Sequence, residues 1–206
     1  MSVECDSVWR RQEIEKRIWV VAKGPSCNQI NRYIRSDDHV ASINDGASHI
    51  LRDRIEFAFF SDWNAIQSFE SFHKKVCKFV AREPLDHDAD KTPLWIQKKL
   101  QLYRWRECGG SREHLSKRIL EGGICHHHTT PAAIHWLSKF SDYTDICVIG
   151  VDGGKRYASG KKSTCPLLTV DLYQWRIISE RTADICSRVY GKRITFFRED
   201  NYSSES

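Results

Sequence analysis

The feature that most constrains the fold is an alternation of short apolar runs with longer amphipathic stretches. Ile18–Ala22, Val40–Ile43, Glu56–Phe60, Cys77–Ala81, Asp145–Ile149 and Arg193–Phe197 have the length and apolar character of strands. Ser26–Arg35, Asn64–Lys75, Thr130–Phe140 and Leu172–Tyr190 read as helices; in the last, Leu172, Trp175, Ile178, Ile185 and Val189 fall near one helical face. Strands alternating with helices predict an α/β fold, Rossmann-like, with a mostly parallel sheet and helices on both faces. A chain of 206 residues is long enough for one domain with a real core. That domain is expected over residues 1–200, with 201–206 as a disordered tail. The polar stretch 84–115 breaks the rhythm and carries Trp95, Tyr103, Trp105 and a Gly109-Gly110 hinge. It reads as a lid-like insertion, with 94–105 as a helix.

In open parallel sheets ligands sit beyond the carboxyl ends of the strands. The first strand runs into Lys23-Gly24-Pro25-Ser26. Glycine there would let backbone N–H groups approach a ligand, proline would stiffen the turn, and Ser26 would cap the helix. Such a helix start is an anion site, so a nucleotide or other phosphorylated ligand is expected near Gly24. The second strand delivers Asn44-Asp45-Gly46-Ala47, the third Ser61-Asp62-Trp63, and the fifth Gly150-Val151-Asp152-Gly153-Gly154. Asn44 could read a base or ribose through its amide. Asp45, Asp62 and Asp152 have the chemistry of bases, ribose anchors or metal ligands, although Asp and Asn also favour turns on local grounds alone.

Gly122-Gly123-Ile124-Cys125-His126-His127-His128-Thr129-Thr130-Pro131 precedes the third helix. Histidines at a helix start could act as general bases or bond a phosphate. Neighbours on a strand point to opposite sides, so His126, His127 and His128 cannot all face one metal; His126 and His128 could share a face, but a third ligand is not identified and no metal site is assigned. Lys155, Arg156, Lys161 and Lys162, with Tyr157 among them, form a basic-aromatic loop after Asp152.

Composition narrows the class. Charged residues are 29% and hydrophobic residues 40%, ordinary for a globular protein. No apolar run reaches the ~20 residues of a membrane span, and Met1–Asp6 lacks a signal-peptide pattern. The 8 cysteines are scattered without a CxxC pair, so they are expected as reduced thiols in a cytoplasmic protein. A net charge of +5 fits an anionic ligand and does not argue for nucleic acid.

Taken in order, these blocks resemble the bacterial sialyltransferases that use CMP-sialic acid, and the related flagellin-glycosyltransferase-like and hydroxymethylpterin-diphosphokinase-like domains. The resemblance rests on Val20-Val21-Ala22-Lys23-Gly24-Pro25-Ser26, on Asn44 after the second strand, and on Asp62 after the third. It continues through Gly123 to Thr130, Ile149-Gly150-Val151-Asp152, and Arg156-Tyr157-Ala158, so it spans about residues 18–197. It implies that Lys23, Gly24, Pro25, Ser26, Gly123, Thr129 and Thr130 surround donor phosphate. Asn44, Asp45 and Asp62 would hold base and ribose, and Arg156 and Tyr157 the departing CMP. The function so implied is transfer of a sugar, a nonulosonic acid or Kdo, from a CMP-activated donor to a glycan or lipid-linked acceptor. No metal cofactor is required, and there is room for peripheral membrane association. The chain departs from the family at Lys23 and Asp62, and no histidine follows His135 where the family carries its base. His126, His127, His128, Asp62 and Asp152 remain candidates for that role. Asp45-Gly46-Ala47 also resembles the DGA of pterin and thiamine diphosphokinases, whose reaction needs ATP and magnesium. A nucleotide-binding domain without catalysis is the third reading.

Overall fold

The computed structural model describes residues 15–48, 50, 53–61, 63–83, 92–106, 111–121, 124–125, 128–153 and 172–198. Its centre is a seven-stranded sheet in the order β5-β4-β3-β2-β1-β8-β9. The strands are β1 (Arg17–Val21), β2 (His39–Ile43), β3 (Ile55–Phe60), β4 (Val76–Arg82), β5 (Leu100–Tyr103), β8 (Asp145–Ile149) and β9 (Arg193–Phe197). Every pairing is parallel. The Rossmann-like α/β architecture expected from the sequence is therefore present. β6 (Trp105–Arg106) and β7 (Ile124–Cys125) form a separate parallel pair.

The order of strands dictates which face each connection covers. A parallel crossover is nearly always right-handed. From β1 to β5 the chain steps in one direction, so its connections share one face. They bury Cys27, Ile30, Trp63, Ile66, Phe69, Phe72 and Ile96 against Trp19, Val21, Phe60 and Phe79. The chain then returns past β1 to β8, and its helices cover the other face. These are α3 (Thr129–Phe140) and α4 (Leu172–Tyr190), following the single-turn α1 (Leu94–Gln97) and α2 (Arg112–Leu120). Ala132, Ala133, Trp136, Leu137 and Ala183 pack there on Ile18, Val20, Phe57, Phe59 and Val148. Adjacent β1 residues thus serve opposite cores, as a two-residue period requires.

The first face differs from expectation in its helix type. The predicted Ser26–Arg35 helix is a 3-10 helix, Pro25–Arg32. The predicted Asn64–Lys75 helix is two 3-10 segments, Trp63–Phe69 and His73–Lys75. The buried positions explain it. Cys27 and Ile30, then Trp63, Ile66 and Phe69, recur every third residue, the repeat of a 3-10 turn. The stretch 84–115 also differs. Residues 92–106 hold α1 and the edge strand β5, whose Phe79–Leu100 to Arg82–Tyr103 register extends the main sheet. Residues 84–91 and 107–110 of the expected lid, and the tail 201–206, lie outside the described residues.

The amino edge of the sheet is fastened by Asp38, which is 7% exposed. Its carboxylate accepts from Arg17 Nε at 2.7 Å and Nη2 at 2.6 Å, from Trp19 Nε1 at 2.8 Å, and from Arg35 N at 2.7 Å. Elsewhere α3 buries His135, 1% exposed, with Nε2 3.0 Å from the Tyr190 hydroxyl of α4. Burial foremost, then Lys139, pushes this imidazole down to about 4. A folded value below the unfolded ~6.5 makes the histidine stabilising when neutral. That contribution is complete above the unfolded value and is lost as pH falls from ~6.5 towards 4. Urea titrations at pH 7.5 and pH 5 should therefore differ by about 2 kcal/mol from this group. His135→Leu, whatever its absolute stability, should remove that increment. An unchanged pH dependence would refute the assignment.

No helix among the described residues is long and apolar enough to cross a membrane. Of the described cysteines, Cys27, Cys147 and Cys186 are buried and Cys77 is exposed, and none of the four is in a disulfide.

Candidate functional site

The chain leaves β1 for β2 on one side and returns to β8 on the other, which makes the carboxyl ends of β1 and β8 the topological switch point. Loops from β1, β2 and β8 meet there at backbone distance. Ala22 N donates to Ile149 O at 2.8 Å, and Gly24 N to Gly150 O at 2.8 Å. A Cβ at Gly24 would lie 2.3 Å from Asp152 Oδ2 and 2.6 Å from Gly150 O. One at Gly46 would lie 2.4 Å from Val21 O. Glycine is required at both positions because protein, rather than ligand, occupies the space a side chain would take.

The helix start after Gly24 is already engaged. Ser26 N donates to Asp152 Oδ2 at 2.9 Å, and Gly150 N donates to Ser26 Oγ at 2.9 Å. Gly24 stands at the N-cap without a side-chain cap, and Pro25 opens the helix. The Ser26 hydroxyl expected to cap the helix thus holds the β8 loop instead. The Asp152 carboxylate takes the place where an anion would sit at a helix N-terminus.

Asn44 follows β2 with φ 50°, a left-handed conformation that asparagine tolerates. Its backbone is held by Phe59 O at 2.9 Å and by the Ser42 hydroxyl, which donates to Asn44 O at 2.7 Å. Its Oδ1 is buried and has no hydrogen-bond partner among the described residues; the same is true of Asp152 Oδ1. Buried polar atoms are normally paired, so these acceptors mark positions where a donor-bearing ligand would be compensated. Asp45 forms an ion pair with Lys23 across the β1 and β2 loops.

Ser61, at the end of β3, shares a 2.7 Å hydroxyl bond with Thr129, and Arg82 Nε donates to Ser61 O at 2.5 Å. Thr129 opens α3 and is buried, and Thr130 follows it half-buried. His128 is the N-cap residue of α3, with its ring centroid 4.2 Å from that of Trp175 on α4. The structure therefore brings Lys23, Gly24, Pro25, Ser26, Asn44, Asp45 and Asp152 to one edge. His128, Thr129 and Thr130 open the helix packed beside it. Asp62, Gly123, His126, His127, Arg156 and Tyr157 lie outside the described residues, as do Lys155, Lys161 and Lys162.

Sequence reasoning missed the far side of this edge. Arg198 directly follows β9, whose Phe197 pairs with Ile149 of β8, so it stands beside the Gly150–Asp152 turn. It forms an ion pair with Glu180, to which Arg176 Nε also donates at 3.0 Å. Burial, then Arg176, lowers the guanidinium of Arg198, and Asp152 opposes the shift. The rule that singled out Asp152, a polar residue just past a strand's carboxyl end, applies equally to Arg198.

Among the described residues no group of three or more His, Cys, Asp or Glu side chains is placed to hold a metal ion. Compared with protein-family models, curated proteins and solved structures, the chain matches none.

Proposed function

We propose that the chain binds a nucleotide-linked substrate at the carboxyl edge of its sheet, as a glycosyltransferase using a CMP-activated sugar such as a nonulosonic acid or Kdo. The observation that supports this reading is the pair of unpartnered buried acceptors, Asn44 Oδ1 and Asp152 Oδ1, on loops flanking the switch point. Hydroxyls of a ribose or sugar, and the amine of a cytosine, are donors that such oxygens would accept from. In the transfer an acceptor hydroxyl attacks the anomeric carbon while the bond to the CMP phosphate oxygen breaks. CMP departs with the bonding pair, and the hydroxyl proton passes to a base. Asp152 offers a carboxylate oxygen without a partner for that proton, and His128 an imidazole at the start of α3. A binding domain without catalysis is the second reading. It is favoured by the engagement of Asp152 with Ser26 N, which ties up one oxygen of the candidate base.

A thermal-shift panel of CMP, CMP-sugars, UDP-sugars, GDP-sugars and ATP with magnesium tests the reading. A ligand at 100 times its Kd adds about 2.7 kcal/mol to stability, so CMP and its sugars should raise Tm clearly. Asn44→Gly removes the side chain without straining a left-handed backbone, and should weaken CMP by ~1–3 kcal/mol. Stabilisation by ATP with magnesium alone would favour a diphosphokinase. CMP binding without sugar transfer would favour the binding domain.

A further inference from the structure

Buried acceptors and buried donors without a partner both occur at the carboxyl edge. Over β2 and β8 they include the acceptors Asn44 Oδ1 and Asp152 Oδ1. Over α4 and β9 they include the donors Trp175 Nε1 and Arg198 Nε, both buried and without a hydrogen-bond partner among the described residues. Lys23, on the β1 loop, is ion-paired with Asp45. On the donor side two guanidiniums, Arg176 and Arg198, converge on one carboxylate, Glu180, with both side chains about one-third exposed or less. Arg176 lies close enough to disfavour the charge of Arg198. Like charges held together in a half-buried place, with an N–H left over, are the arrangement that a bound anion relieves.

We propose that Arg198 and Arg176 receive the phosphate or carboxylate of the ligand, while the Gly24–Ser26 turn takes an uncharged, hydroxyl-bearing part. This deepens, and rests on, the reading of the edge as a nucleotide-linked site. It reverses the placement that the sequence suggests. The Ser26 N–H is satisfied by Asp152, and a phosphate there would have to displace one carboxylate and lie against it. Arg198 reaches the site because of its register. Phe197 packs towards Trp19 and Tyr33 on one face of the sheet, so the next side chain turns to the α4 face and meets Glu180.

Titration calorimetry with inorganic pyrophosphate, cytidine and CMP tests this on the full chain and on Arg198→Gln, Arg198→Lys and Lys23→Gln. Arg198→Gln should weaken pyrophosphate and CMP at least tenfold and leave cytidine unchanged. Arg198→Lys keeps the charge but loses the Nε–H and the planar fork, and should weaken both at least threefold. Lys23→Gln should leave pyrophosphate unchanged. Glu180 keeps Arg176 in either Arg198 variant, and thermal melting checks that both are folded. If Arg198→Gln will not fold, Arg198→Lys decides. Failure of the wild-type chain to bind pyrophosphate would overturn the proposal. So would loss of pyrophosphate through Lys23→Gln but through neither Arg198 variant. Pyrophosphate bound through Arg198 with no affinity for cytidine or CMP would support the anion site and sink the nucleotide reading alone.

Discussion

Gly150→Ala is expected to destabilise the protein by about 2–6 kcal/mol, the sum of backbone strain and overpacking at one position. Gly150 has φ +83°, and a Cβ there would lie 2.4 Å from Ala22 O and 2.6 Å from Ala22 C. Those atoms are backbone of the central strand's exit, so no side chain can swing away. Relief requires β1 and β8 to part at their carboxyl ends. That would stretch the bonds from Ala22 N to Ile149 O and from Gly24 N to Gly150 O. Gly191→Ala is the control. Its φ is +68°, but nothing lies within 4 Å of the added carbon, so strain acts alone at about 1 kcal/mol. Urea unfolding of both variants makes the comparison. A Gly150→Ala cost no larger than that of Gly191→Ala would mean that the close approach of the loops does not hold the edge together.

Asp38→Ala should cost about 3–5 kcal/mol, the usual result of breaking a buried ion pair by removing one partner. It leaves the Arg17 guanidinium, the Trp19 indole N–H and the Arg35 N–H without their shared acceptor. Arg17 is 15% exposed at its side chain, so water can answer only part of the loss. The same contacts set a pH response. Burial alone would raise the Asp38 carboxyl, but the hydrogen bonds from Arg17, Arg35 and Trp19 outweigh it and hold it below the ordinary carboxylate value. A depressed folded value means that the stabilisation is present above an unfolded value of ~3.9 and is lost as pH falls through the folded one. Wild type should therefore lose stability on acidification more steeply than Asp38→Asn does. Equal slopes would show that Asp38 is not the acid-sensitive fastening of β1.

The parallel sheet was legible because its strands are apolar on both faces, and helix-length stretches separate most of them. Arg193–Phe197 and Asp145–Ile149 fall where the pattern put them. The 3-10 segments were misread as α-helices because Trp63, Ile66 and Phe69 satisfy i, i+3 in either helix; the missing i+4 partner is the distinguishing signal. β5 was missed because a strand of 4 residues at the sheet edge, with Gln101 and Leu102 exposed, carries too little pattern to oppose a helical reading. At the site, the conjunction of Gly24, Asn44 and Asp152 at one edge follows from strand order, and polar residues past strand ends reveal it. The engagement of Asp152 with Ser26 was not legible. It depends on how closely the β1 and β8 loops approach, and no local pattern encodes a distance between residues 126 positions apart. Arg198 was overlooked for the opposite reason: its local signal is present, but its partner Glu180 lies on a helix that the strand rule does not examine.

The proposed nucleotide-linked ligand would bind where the β1, β2 and β8 loops converge. Backbone amide shifts of the labelled protein during a CMP titration test it most directly. Gly24, Ser26, Asn44, Gly150 and Asp152 should move together with one affinity, whereas the amides of α2, Arg112–Leu120, should stay in place. Shifts confined to α2 and the end of α4, or no saturable shift at the strand ends with CMP, would contradict it.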